Sequence, residues 1–289
     1  MTKASLKAAL ASGKFVAAPG LHDMITAAVA NKFNLPFAYA SGYWLTASTH
    51  GLPDAGIATY TQMVDRIATL CRVSNSAIIA DADTGYGGLL NVHHTVRGYE
   101  EAGVIAVQIE DQEFPKKCGH TPFKRVISLQ DMTDKIKVAC EARRSDETLI
   151  IARTDARQTE GFEGALARGQ AFADAGADVV FVEALESVDE MREACRRIDA
   201  PMMANMADGG KTPILPAAEL QAIGYSMAIY PAMTGLAAAQ AAENALAAFI
   251  QHGTSVTPAQ PLFDFAEFNG LIGFPEVWEF ERKWARERA

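Results

Sequence analysis

Ala77-Ile-Ile-Ala-Asp-Ala-Asp83 decides the fold: a short apolar run passes directly into two carboxylates. A run this brief and this uniformly apolar reads as a strand covered on both faces. Ala106-Val-Gln-Ile-Glu-Asp-Gln112 and Leu149-Ile-Ile-Ala-Arg-Thr-Asp155 have the same form. Working outward, eight β-rich runs occupy residues 15–21, 37–43, 77–83, 106–112, 149–156, 179–184, 201–206 and 227–232. Amphipathic helical patterns lie between them, at 61–72, 91–102, 129–144, 161–175, 188–197 and 217–223. Ala102-Gly103 and Ala175-Gly176 stand where a helix C-cap would precede a strand. Strands alternating with helices give a parallel sheet. Eight such units predict an α/β fold of the (β/α)8, or TIM-barrel, type. A doubly wound open sheet shares the alternation. It does not usually place polar groups at six successive strand ends, as Ser41-Gly-Tyr43, Asp81 with Asp83, Glu110, Arg153 with Asp155, Glu183 and Asn205 do here.

The 289 residues suffice for one large domain. Residues 1–250 read as the barrel and residues 251–289 as a helical extension of the same domain. That extension follows an Ala-rich helix over 235–249. It comprises a Pro/Thr-containing linker at 255–261 and an aromatic, charged helical pattern over 263–288. A formal net charge of -9 argues against a general nucleic-acid or membrane-surface binder. No apolar run approaches the roughly 18 residues of a membrane span, and the N-terminus lacks a signal-peptide core. The four cysteines, Cys71, Cys118, Cys140 and Cys195, form no CxxC pair and read as reduced thiols, which implies a cytoplasmic protein.

Chemistry concentrates at the strand ends. Asp81 and Asp83 have the i, i+2 spacing of one strand face, Glu110 ends the neighbouring strand, and Asp54 lies in the loop after the second. Crowded carboxylates repel one another unless a cation sits between them, and hard oxygen donors select Mg²⁺ or Mn²⁺. Gly85-Tyr-Gly-Gly88 matches neither dinucleotide nor Walker patterns and reads as a turn. In Lys116-Lys-Cys-Gly-His120 the two lysines are expected to lower the pKa of Cys118 and attract a carboxylate, and Gly119 lets the loop close. Arg153 can grip a substrate carboxylate or pair with Glu183 or Asp155. His22 and Asp23 read as supporting groups, and His93 and His94 as surface residues.

Together these residues resemble the isocitrate lyase / phosphoenolpyruvate mutase superfamily along nearly the whole chain. Lys116-Lys-Cys-Gly-His120 is the mark of its carbon–carbon lyase branch. Ser41-Gly-Tyr43, Gly51-Leu-Pro-Asp54, Asp81-Ala-Asp-Thr84, Ala152-Arg-Thr-Asp155 and Gly209-Gly-Lys-Thr-Pro213 support the likeness. The resemblance implies a barrel whose last helix is swapped between subunits of a homotetramer. It makes Asp83 the direct Mg²⁺ ligand, with Asp54, Asp81 and Glu110 holding the ion's waters. Ser41, Gly42, Gly119, His120, Arg153 and Asn205 would bind a dicarboxylate, oriented by Glu183. Tyr43 would lie near the substrate hydroxyl, and Cys118 would be the proton donor, with Lys116 beside it. The implied reaction is retro-aldol cleavage of a 2-alkylmalate to pyruvate and a carboxylic acid. Methylisocitrate cleavage, oxaloacetate hydrolysis and phosphonopyruvate chemistry are the alternatives. Leu236 stands where methylisocitrate lyases carry an Arg for a third carboxylate, and Pro231 where oxaloacetate hydrolases carry a Ser. Both departures favour an alkylated dicarboxylate, as does a likeness to the 2,3-dimethylmalate lyase and petal death protein group.

Overall fold

The structure, a computed structural model, describes residues 3–119, 121, 123–257 and 261–285. Eight strands form one sheet: β1 (Val16–Pro19), β2 (Phe37–Ala40), β3 (Ala77–Asp81), β4 (Ala106–Glu110), β5 (Leu149–Thr154), β6 (Val179–Val182), β7 (Met202–Asn205) and β8 (Met227–Tyr230). Every ladder is parallel, and β1 pairs with β8, so the sheet curls into a barrel rather than staying open. Between β1 and β2 a bridge from Gly20 to Tyr39 closes the ring.

The helices are α1 (Leu6–Ala11), α2 (Met24–Ala30), α3 (Gly42–His50), α4 (Tyr60–Val73), α5 (Leu89–Ala102), α6 (Leu129–Ala142) and α7 (Gly161–Asp174). They continue with α8 (Val188–Arg197), α9 (Ala217–Ile223), α10 (Met233–His252), α11 (Phe265–Leu271) and α12 (Phe274–Trp284). Local chemistry sets their limits. A capping box between Thr59 and Gln62 starts α4, and Gly103, at φ 95°, ends α5 in the left-handed region that glycine tolerates.

The parity of the strand residues divides the core into two layers. Val16, Ala18, Phe37, Tyr39, Ile79, Ile151, Phe181, Met203 and Ile229 fill the barrel interior, joined by Leu6 of α1. Ala38, Ile78, Val107, Ile150, Val180 and Ala228 face outward against Ile67, Tyr99, Ile136, Phe172 and Leu220 of the helices. Because both strand faces are buried, the strands read as unbroken apolar runs rather than alternating ones.

Two expectations about strand ends are corrected. The second run ends at Ala40, not Tyr43, and Ser41-Gly42-Tyr43 begin α3. Gly42 makes this turn possible: its amide donates to Asp81 Oδ2 at 3.3 Å, and a β-carbon there would meet Asp81 and Asp83 oxygens at 3.1 Å. The third strand ends at Asp81, and Asp83 follows with φ 49°. It therefore reaches the site through a left-handed turn rather than by strand pleating. Beyond the barrel, α10 runs across residue 250, and Gly273 (φ 89°) separates α11 from α12. No helix among the described residues is long and apolar enough to cross a membrane.

Candidate active site

Strand alternation leads directly into the site. Residues i and i+2 face the same way, so the inward column Ile79, Gln108, Ile151, Phe181, Met203 continues into Asp81, Glu110, Arg153, Glu183 and Asn205. All five are buried at the C-terminal strand ends, where barrels build their sites.

One half of the cluster is anionic. Asp54, Asp81, Asp83 and Glu110 converge around the Lys116 ammonium, which pairs with Asp54 and lies 2.7 Å from Asp83 Oδ1. Asp81 Oδ1 accepts from the Asp83 amide at 3.0 Å and faces the Gln108 amide at 3.4 Å. Burial pushes the Asp83 carboxyl up to about 7, against the pull of Lys116, and pushes Glu110 well above the usual carboxylate range against Arg153. Burial also disfavours the Lys116 charge, but Asp83 and Asp54 outweigh it and hold the ammonium protonated. Lys116 therefore neutralises the acidic cluster, a partner set that the expectation of a charge acting on Cys118 did not include. Lys117 lies near the Phe123 carbonyl and ring instead.

The residues present suit a hard divalent ion. The donors are carboxylates, burial disfavours the Asp83 charge that an added cation would offset, and Glu110 Oε1 is buried without a hydrogen-bond partner. Among the described residues no three His, Cys, Asp or Glu side chains converge tightly enough to ligate one ion directly.

The other half is built on Arg153. Its fork meets Asp155 at 2.9 and 3.1 Å, Glu110 at 3.3 Å and Glu183 at 3.2 Å, above the Phe181 ring. Burial disfavours the guanidinium charge, but Asp155, Glu110 and Glu183 reverse that effect. Asp155 shows the converse: burial would raise its carboxyl, yet Arg153 and Lys124 hold it down to about 2. Glu183 also accepts from the Asn205 amide at 3.1 Å. Gly119 lies so close to Arg153 and Glu183 that any β-carbon would overlap both. Space is thus one reason for the glycine, besides loop freedom.

Between the halves lies a cavity of ≈ 240 Å³. Ser41, Asp81, Cys118, Arg153 and Asn205 form its polar wall, and Tyr43, Trp44, Pro231 and Leu236 its apolar one. Trp44 is wedged between His22, 6.4 Å away ring to ring, and Gly235, where a β-carbon would strike the indole. His22 is therefore a supporting group, whereas Asp23 caps α2. His93 and His94 are exposed on α5. His120 lies outside the described residues.

The phosphoenolpyruvate phosphomutase family model matches residues 6–250. The chain is 41% identical over 287 residues to 2,3-dimethylmalate lyase of Eubacterium barkeri, covering 99% of each. It is also 41% identical to 2-methylisocitrate lyase of Aeropyrum pernix, over 94% of this chain and 87% of that one. The crystal structure of 2,3-dimethylmalate lyase, a PEP mutase/isocitrate lyase superfamily member, superimposes with a TM-score of 0.91. Its identity is 32%, with 99% of this chain and 96% of that one covered. The chain belongs to the PEP mutase/isocitrate lyase superfamily.

Within this superfamily member, sequence reasoning found the carboxylates, Arg153, Glu183 and Asn205, and the structure brings them together. It missed Lys124. That lysine is buried beside the Cys118 loop, where its ammonium meets the Gly119 carbonyl and Asp155 Oδ1, the latter at 2.6 Å. In Thr121-Pro-Phe-Lys124 a lone lysine beside Arg125 looks like an ordinary solvated loop cation. Asp155 already had a cation in Arg153 in that reading, so nothing in the sequence called for a second one.

Proposed function

We propose that this superfamily lyase cleaves the C2–C3 bond of a 2-alkylmalate, such as 2,3-dimethylmalate, to pyruvate and a carboxylic acid. One observation carries the substrate class: the cavity faces a charged wall with an apolar one. Among its described lining residues Arg153 is the sole cation. A dicarboxylate with alkyl substituents matches both walls, since one carboxylate meets Arg153 and the alkyl groups meet Trp44, Pro231 and Leu236. A third carboxylate would lie against Leu236 with no cation to offset its desolvation.

Asp83 would hold Mg²⁺ or Mn²⁺ directly, with Asp54, Asp81 and Glu110 holding its waters. When bound, such an ion supplies the Lewis acidity that makes a substrate hydroxyl easier to ionise. Ser41, the Gly42 and Gly119 backbone, Arg153 and Asn205 fix the substrate, and Glu183 orients Arg153 and Asn205. Tyr43 stands at the hydroxyl end. As the C2 hydroxyl passes its proton to the adjacent carboxylate cluster, the oxygen's electrons form the ketone, the C2–C3 bond breaks, and C3 keeps the pair. Arg153 stabilises the negative charge that develops on the departing carboxylate fragment. Cys118 then passes its thiol proton to C3 as general acid.

Methylisocitrate cleavage is the second reading, favoured by the equal identity to the A. pernix enzyme and opposed by Leu236. A panel of 2-methylmalate, 2,3-dimethylmalate, 2-methylisocitrate and oxaloacetate, assayed for 2-keto acid release with Mg²⁺, separates the readings. Pyruvate from the alkylmalates, lost with EDTA and cut at least about 100-fold in Cys118→Ala, is expected. Pyruvate from methylisocitrate alone, or oxalate from oxaloacetate, would overturn the assignment.

A further inference from the structure

Lys124 joins two parts of the site that chain connectivity leaves independent. Its side chain is 1% exposed and Asp155 is fully buried, so this ammonium is an internal charge. Its ammonium meets the carbonyl of Gly119, on the loop that carries Cys118, and Asp155 Oδ1 at 2.6 Å, beyond β5. Asp155 in turn holds both arms of the Arg153 fork, and Gly119 rests against that same guanidinium. The contacts thus form a ring: loop backbone, Lys124, Asp155, Arg153, and back to the loop backbone.

Elsewhere the loop is held through Lys116, which pairs with Asp54 and Asp83, and at its base. The Gln112 side chain accepts from the Lys117 amide at 3.0 Å and donates to the Lys117 carbonyl at 2.8 Å, and the Glu113 amide donates to the Arg125 carbonyl at 2.8 Å. None of these contacts is made by Gly119 itself. A buried ammonium is tolerated only while paired and hydrogen-bonded. The Lys124 charge is satisfied when the Gly119 carbonyl and the Asp155 carboxylate are presented together, as they are here.

We infer that Lys124 is a positioning residue: its ammonium clamps the Gly119 carbonyl to the Asp155–Arg153 pair and so sets the Cys118 thiol over the cavity. This rests on the proposed role of Cys118 as proton donor, but the clamp itself does not, and it has a readout apart from turnover. A misplacement of about 1 Å can cost about 100-fold in rate. Lys124→Met removes both contacts at similar volume, and Lys124→Gln keeps amide donors for both.

The decisive experiment maps iodoacetamide alkylation of Cys118 by peptide mass spectrometry in the wild type and both variants, alongside kcat, KM and thermal unfolding. In Lys124→Met, Cys118 alkylation should rise about tenfold and kcat fall about 100-fold with KM changed far less, while Lys124→Gln recovers at least about tenfold in kcat. Alkylation and kcat within about twofold of wild type in a folded Lys124→Met protein would overturn the clamp. So would an activity loss that only tracks the unfolded fraction, or one that Lys124→Gln fails to reverse. If Lys124 controls alkylation but Cys118→Ala leaves turnover intact, the clamp stands and the proton-donor reading falls.

Discussion

The Lys116 ammonium lies 2.7 Å from Asp83 Oδ1 and also pairs with Asp54, so one buried cation holds together two carboxylates from different loops. Even with that partner, burial leaves the Asp83 carboxyl raised to about 7. A cation that binds Asp83 must then displace a proton at acidic pH. The sign follows from the direction of the shift. A carboxyl raised above its ordinary value favours the folded, metal-free protein at low pH, and that contribution is lost as pH rises through about 7. Mn²⁺ affinity, measured by calorimetry or electron paramagnetic resonance, should be nearly constant above about pH 8. Below about 7 it should weaken by about tenfold per pH unit, with proton release on binding. Affinity flat from pH 5 to 8 would place the ion elsewhere.

Gly119→Ala tests the packing of the loop on Arg153. The new methyl would overlap the guanidinium and Glu183, both of which are buried and held by other partners, so the loop must give way. Because the loop surface around it is partly exposed, the displacement should cost little global stability. Pyruvate formation should fall at least about tenfold, with a thermal midpoint within about 2 °C of wild type. An unchanged kcat would mean that the loop does not rest on Arg153 during turnover.

These two sites also show what was legible in the sequence. Asp81, Glu110, Arg153, Glu183 and Asn205 could be read because strand parity forces them into the same column as the barrel interior. Their chemical type then pointed to a metal and an anion. Lys116 was found, but its direction was not: next to Cys118 in the chain, it turns away to carboxylates that approach only in three dimensions. The start of α3 was missed because Ser41-Gly42-Tyr43 continue an apolar run and carry no helical period. Lys124 was missed for a similar reason, since the buried Asp155 that accounts for it lies 31 residues away.

Leu236 stands at the apolar wall of the cavity, 46% exposed at the start of α10. An Arg there could extend toward a third carboxylate without displacing buried packing, and its planar fork suits that group. Leu236→Arg should therefore shift the ratio of kcat/KM for methylisocitrate over 2,3-dimethylmalate upward by about tenfold or more. The change should come from both terms, because the arginine also removes apolar surface from the alkyl groups. A ratio that stays put would show that other residues set the discrimination.

The C-terminal helices provide the last test, because their apolar faces are left open in the single chain. Phe265 is 77% exposed, Phe280 64% and Trp284 63%, while Lys32 ties the segment back to the barrel by pairing with Glu267 and lying over Phe263. Aromatic surface on this scale is not normal for a free monomer. We propose that α11 and α12 pack on a neighbouring subunit of a homotetramer. If so, Phe280→Asp has opposite consequences in the two states. On an isolated protomer, an exposed aromatic replaced by a carboxylate should be close to neutral. At a subunit interface, it buries an unpaired charge, which commonly costs several kcal/mol. Light scattering should therefore find the wild-type chain as a tetramer and Phe280→Asp as a smaller, concentration-dependent species, with a thermal midpoint lower by about 5 °C or more. A wild-type monomer, or a variant that assembles and melts like wild type, would leave α12 without a partner subunit.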